Sequence, residues 1–255
     1  PLTGIVVLGV VAVPWFVWVG MRDPDWIVTF FAKFNWRPFS QPFLGHSGPF
    51  WYHIPAVLIG FFPWSLFFGP LLIDVWQRLR DKDEKVRAGY IFLACWIGIF
   101  FVFWSICSTK LPHYTLPAYP AIAILTGCLL DRWLLQPQSV PRWWSVAASA
   151  ILVVVGVAIM VVFPVISSIY SLPESSLGLI GLIPLAAALL MFWFMRKRDV
   201  RRMLIVQGAL SVAFLTAVFG WATVRIDHHQ NSRPAMAAVH TDSRSRESRA
   251  EVVSL

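Results

Sequence analysis

Seven long apolar runs, near residues 2–21, 51–76, 88–107, 115–135, 143–164, 175–195 and 203–224, constrain this chain more than any other feature. A helix that crosses the hydrocarbon core needs about 20 mainly apolar residues, because water is absent there and only bonds within the segment satisfy the backbone. Each run approaches or exceeds that length. Hydrophobic residues make up 58% of the chain and charged ones 13%, with a mean hydropathy of +0.67, which excludes an ordinary soluble domain. The expected fold is all-α: a polytopic transmembrane helix bundle of about seven spans over residues 1–224, followed by a polar outer tail over 225–255. The end of that tail, Ser243 to Arg249, has too little apolar surface to build a core and is expected to be disordered.

A net charge of +8 invites a nucleic-acid reading, and the placement of the charge argues against it. Twelve of the 21 Lys and Arg residues fall in alternate connections: Arg78, Arg80, Lys82, Lys85 and Arg87, then Arg132 and Arg142, then Arg196, Lys197, Arg198, Arg201 and Arg202. By the positive-inside rule these connections are cytoplasmic, which puts residues 22–50, the segment 108–114 and the C-terminal tail on the outer face. Topology accounts for the basic residues, so the expected surroundings are membrane lipids and no nucleic acid. Cys95, Cys107 and Cys128 lie in or at the ends of apolar runs without CxxC spacing and read as packing residues. No fixed-period repeat and no GxxxxGK[ST] phosphate loop occurs, so cytoplasmic nucleotide chemistry has no support.

The unusual residues sit on the outer face. Residues 22–50 carry Trp26, Phe30, Phe31, Phe34, Trp36, Phe39 and Phe43, which predict a short amphipathic helix lying at the interface. Asp23 and Asp25 are placed to cap that helix. His46 to Pro55 and Gly60 to Ser65 follow, dense enough in glycine and proline to imply bends at the head of a membrane helix. A third block, Ser108-Thr109-Lys110-Leu111-Pro112-His113-Tyr114, puts a cation between two apolar runs. A lysine at the centre of a membrane helix costs about 2.5–3.5 kcal/mol on insertion scales, so Lys110 needs an interface or a wet cavity, and a partner. Lys110, His113 and Tyr114, with His46, Tyr52 and His53, are the candidate lining of an outward cavity suited to an anionic phosphate. His46 is also a candidate ligand for a divalent metal, and no other cofactor is indicated.

Two blocks, His46-Ser47-Gly48-Pro49-Phe50-Trp51-Tyr52 followed by Phe62-Pro63-Trp64-Ser65, and Ser108 to Tyr114 followed by Leu116-Pro117 and Tyr119-Pro120, resemble the integral-membrane glycosyltransferases of the GT-C class. Within that class they are similar to the bacterial branch of lipid A aminoarabinose transferases and relatives of protein O-mannosyltransferases. The similarity is clear over about residues 1–135 and rests on hydropathy beyond. It implies an enzyme of the bacterial inner membrane that passes a sugar from a polyprenyl-phosphate carrier to a lipid, protein or glycan acceptor on the outer face. It further implies that Lys110 and Tyr114 lie near the carrier's phosphate, with Asn35 and Arg37 facing the same cavity. The pattern departs at Pro38, where many relatives carry arginine directly before phenylalanine. The resemblance also implies that the catalytic carboxylate belongs to a first outer loop preceding Pro1, so this chain is expected to be a C-terminal portion, inactive alone, whose own catalytic residue is unknown.

The chemistry agrees with such a role, since a cation that gains contact as a phosphate leaves stabilises the transition state more than the ground state. A lysine that merely snorkels to head groups is the plainer reading of Lys110. The alternative class is a secondary transporter or flippase built on proline-broken helices, against which stands the clustering of ionisable residues at helix ends. A non-catalytic assembly subunit is the third. In a cysteine-free background, single cysteines at Ser40 and Lys82 are expected to react with impermeant maleimide from opposite sides of the membrane; labelling of both from one side would refute the topology.

Overall fold

The computed structural model describes residues 2–42, 45–169 and 175–225, and these are helical apart from short connections. Six helices are long and apolar enough to cross a membrane, or up to seven if one bent pair counts as a single span. The tail after Arg225 lies outside the described residues, as does Phe43. The chain divides into two compact units, Pro1–Gln136 and Pro137–Leu255.

In the first unit α1 spans Leu2–Arg22 and ends where Asp23 caps the next helix, its carboxylate accepting the Trp26 N–H at 3.2 Å. The capping role expected of Asp23 is borne out. From there the chain stays helical through α2 (Pro24–Val28), a π-helical stretch (Thr29–Trp36) and α3 (Arg37–Ser40). Aromatic rings fold this run back on α1: Trp15 meets Trp26 edge-on at 5.2 Å, and Trp26 stacks on Phe30 at 5.0 Å. The helix expected in the outer connection is present, longer than its sequence signal suggested.

The run at 51–76 is not one straight helix. It forms α4 (His53–Gly60), then a 3₁₀ turn (Trp64–Phe67) leading into α5 (Phe68–Arg78), with the two arms bent by 114°. Pro63 has no N–H to continue the ladder and its ring opposes the carbonyl four residues back. Gly60 sits against the Tyr119 hydroxyl with no room for a Cβ, and the Ser65 hydroxyl donates to the Leu58 carbonyl at 2.6 Å across the break. Hydropathy registers the length of an apolar run and is blind to its direction.

Helix α6 (Glu84–Ile106) starts at an Asp83 cap that accepts the N–H groups of Lys85 at 2.9 Å and Val86 at 3.4 Å. A 3₁₀ turn over Pro112–Ala118 feeds α7 (Tyr119–Leu135). Where α5, α6 and α7 meet at the end carrying the basic connections, Asp74 is 5% exposed and paired with Arg132. Tyr90 donates to the second Asp74 oxygen at 3.2 Å and accepts from Arg132 Nη2 at 3.2 Å. Each helix supplies one member, so the cluster fixes their mutual register.

The second unit holds α8 (Arg142–Ile169), a 3₁₀ turn (Ser175–Gly181), α9 (Leu182–Arg196) and α10 (Val200–Thr216), the last running on as a π-helical stretch (Ala217–Ala222). Its packing rests on small residues, as expected where lipid removes any hydrophobic drive between helices. A Cβ on Gly156 would lie 2.7 Å from the Gly181 carbonyl, and one on Gly181 would meet Met160 Cγ at 2.7 Å.

Removing one partner of a buried ion pair costs about 3–5 kcal/mol, because the other charge stays buried alone. Asp74→Asn is expected to lower the thermal unfolding midpoint markedly, with Asp74→Asn/Arg132→Met recovering most of the loss; additive losses would show that the pair is not coupled.

Candidate functional site

The last four carbonyls of any α-helix lack intrahelical partners, and at a membrane interface they need protein ones. For α6 the partner is Lys110. Its Nζ donates to the carbonyls of Trp104 at 3.0 Å, Ser105 at 2.6 Å and Cys107 at 2.6 Å. An ammonium has three donors, and all three are used. The negative end of the helix dipole favours a cation at this place. Lys110 is only 5% exposed. Burial pulls its pKa below the ordinary lysine value and pushes that of the Cys107 thiol up.

The segment that carries Lys110 is sewn to the outer connection. Ser108 N–H donates to the Phe39 carbonyl at 2.9 Å and Lys110 N–H to the His46 carbonyl at 2.9 Å, while the Thr109 hydroxyl donates to the Gln41 carbonyl at 3.2 Å. Phe39, Gln41 and His46 therefore share one end of the unit with Ser108, Thr109 and Lys110. Gly48 covers the lysine stem: a Cβ there would stand 3.1 Å from Lys110 Cγ and 3.2 Å from the Tyr52 ring. From the other side His53, fully buried, donates through Nε2 to the Trp104 carbonyl at 3.2 Å. Its ring meets that of Tyr52 edge-on at 5.4 Å.

Beyond this joint the chain turns at Pro112, and the Tyr114 ring stacks on Trp104 with centroids 4.0 Å apart and planes 25° from parallel. His113 meets Tyr114 edge-on at 5.0 Å. The stacked pair forms one wall of a cavity of about 840 Å³ whose other walls include Phe31, Phe34, Phe39 and Phe103. The lining is almost wholly apolar, and the His113 ring lies beside Tyr114.

The predicted residues thus fall into distinct places. Tyr114 is in the cavity wall and His113 is exposed next to it. Lys110 and His53 stand behind the wall, bonded to backbone, and do not line the cavity as expected; the demand for carbonyl partners in the last turn of α6 has drawn them inward. Tyr52 packs on Gly48, half-buried, and His46 contributes its carbonyl while its side chain is exposed. Arg37 is exposed on α3, two residues before the cavity-lining Phe39, and the Asn35 side chain is outside the described residues. Among the described residues no group of three or more His, Cys, Asp or Glu side chains converges. Sequence reading missed Trp104, Phe103 and Phe39 as site residues. Their signal was the aromatic end of the run before Lys110, which an interfacial belt explains equally well.

No family model matches the chain. Over 115 residues it is 36% identical to the undecaprenyl phosphate-alpha-4-amino-4-deoxy-L-arabinose arabinosyl transferase 2 of Proteus mirabilis, covering 45% of this chain and 20% of that protein. Over 140 residues it is 31% identical to the corresponding transferase 1 of Pseudomonas fluorescens, covering 53% of this chain and 23% of that one. Among solved structures, ArnT from Cupriavidus metallidurans bound to undecaprenyl phosphate superposes with a TM-score of 0.59 at 26% identity, over 91% of this chain and 40% of that one. The chain resembles the bacterial aminoarabinose transferases in sequence and in fold. It is an integral membrane protein whose fold is like that of the solved relative. It spans about a fifth of the length of those curated relatives and 40% of the solved one.

Thr109 is 1% exposed, and its hydroxyl ties the Lys110 segment to Gln41. Thr109→Val keeps the shape and leaves a buried carbonyl without this donor, and is expected to cost about 1–3 kcal/mol of stability, read as a lowered unfolding midpoint in detergent.

Proposed function

We propose that the chain is part of a glycosyltransferase that takes a sugar from a polyprenyl-phosphate carrier and passes it to a lipid, protein or glycan acceptor on the outer face of the membrane. The observation that carries this reading is the aromatic cavity walled by the Trp104–Tyr114 stack, with the His113 ring against Tyr114. A lipid phosphate has the same division, a long apolar chain and one anionic head. The isoprenoid lies along the apolar walls, and the phosphate lies beside Tyr114 and His113, whose hydroxyl and imidazole donate to its oxygens. Arg37, exposed near Phe39, supplies a guanidinium at the rim. The relatives' names support the carrier, because each includes undecaprenyl phosphate, and the crystallised relative holds that lipid.

As the glycosidic bond breaks, negative charge grows on the phosphate oxygens. Donors fixed there beforehand stabilise that charge without reorganising. The Tyr114 ring is held flat against Trp104, which restricts where its hydroxyl points. The base that takes the acceptor's proton is assigned to no residue of this chain. The positive-inside count supports the outer placement, since the cavity lies at the end of α6 opposite the Asp74–Arg132 cluster and its basic connections.

In the full-length protein, Tyr114→Phe is expected to lower transfer from a polyprenyl-phosphate sugar about tenfold or more, the worth of one hydrogen bond to a charged group. Trp104→Leu is expected to weaken carrier affinity through the cavity wall. Transfer measured in proteoliposomes that is unchanged by Tyr114→Phe would reject the assignment of the phosphate to this side of the stack.

A further inference from the structure

We infer that Lys110 is a positioning residue, which holds the Trp104–Tyr114 wall by capping α6 and leaves the carrier's phosphate to other donors. This rests on the carrier-binding reading and sharpens it. A lysine in a site for an anion is ordinarily taken as the anion's ligand, but here the geometry is already complete. Three carbonyls take three N–H donors, with two of the bonds at 2.6 Å. To reach a phosphate the ammonium would have to release buried carbonyls at a helix end where water is scarce.

The main chain gives it no slack either. Lys110 N–H is bonded to His46, and the preceding Ser108 and Thr109 are bonded to Phe39 and Gln41. Gly48 and Tyr52 close over the stem, so the side chain is seated as well as bonded. What the cap does control is Trp104. Lys110 and His53 both donate to the Trp104 carbonyl, the two bonds that carbonyl can accept. Trp104 is the residue whose indole carries the Tyr114 ring and faces the cavity. Lys110 thus acts on the carrier through backbone, cavity wall and Tyr114 in turn.

The two roles differ in what they do to a ligand lacking the phosphate. Farnesyl phosphate and farnesol share the apolar chain, and their affinities for the full-length protein in detergent are measurable by titration calorimetry. Lys110→Met keeps the stem and removes the cap. It is expected to weaken both ligands by the same factor, about fivefold or more, leaving their ratio within about twofold of wild type. Gly48→Ala, which retains the ammonium and displaces its stem, is expected to do the same, and decides the matter alone if Lys110→Met does not fold. Tyr114→Phe is expected to weaken the phosphate and spare the alcohol. The near-ultraviolet dichroism that depends on Trp104, taken as the difference from Trp104→Phe, should be lost in Lys110→Met, a change that unlocalised destabilisation would not single out. Loss of phosphate affinity with farnesol binding intact in Lys110→Met would make Lys110 a direct ligand and overturn the inference, as would unchanged binding of both ligands in Gly48→Ala. A wild-type protein that bound neither would instead reject the carrier reading itself.

Discussion

A helix that ends in or near hydrocarbon must satisfy its last carbonyls from within the protein, and around α6 this requirement organises the rest of the first unit. Glycine in a left-handed turn is a common answer in water-soluble helices. Here Cys107 leaves the helix at φ −55°, ψ 141°, the chain runs extended, and a lysine reaches back to three carbonyls. The same arrangement meets the cost of a cation near the membrane, since the ammonium exchanges water for carbonyl oxygens at the negative end of a helix dipole. Two groups that would each be costly alone, an uncapped helix end and a buried charge, satisfy one another.

The opposite end of α6 is held by different chemistry. There Tyr90 sits between Asp74 and Arg132, so that α5 and α7 are fixed against the helix start. Tyr90 and the capped carbonyls of Trp104 to Cys107 lie about 21–26 Å apart along the helix at 1.5 Å per residue. Between them the packing is largely apolar, around a core of Val57, Ala118 and Ile122, and the Trp96 indole N–H donates to the Pro117 carbonyl at 3.1 Å. The aromatic cavity belongs to the end where the carbonyl cap is found.

How much of this was legible in the sequence differs by the range of the interaction. Apolar runs, the interfacial helix and the Asp23 cap depend on residues a few positions apart, and all could be read. Glycines and prolines after His46 signalled bends, yet hydropathy alone merged α4 and α5 into one run, because a break at Pro63 leaves composition unchanged. The need of Lys110 for a partner followed from the cost of burying charge. Whether that partner would be a phosphate or the protein's own carbonyls did not follow, since it depends on where Gly48, His46 and Phe39 fold back. Asp74 and Arg132 were each visible as charges near the ends of runs. Nothing in their spacing announced that they meet.

The order Lys-Leu-Pro-x-Tyr acquires a mechanical sense from this. A residue before proline is driven to extended backbone, and Leu111 has φ −128°, ψ 138°. That keeps the chain straight after α6 for long enough to bond the outer connection on one edge, while the Lys110 side chain returns to the helix end. Pro112 then opens the 3₁₀ turn, where its missing N–H costs nothing, and two residues later Tyr114 comes back over Trp104. Cap, extended pairing, proline and stacked ring are successive parts of a single reversal between α6 and α7. A tyrosine one residue earlier or later in that turn would point away from the indole. The spacing therefore answers to the geometry of the turn at least as much as to the chemistry of a phosphate, and the two demands meet only at Tyr114.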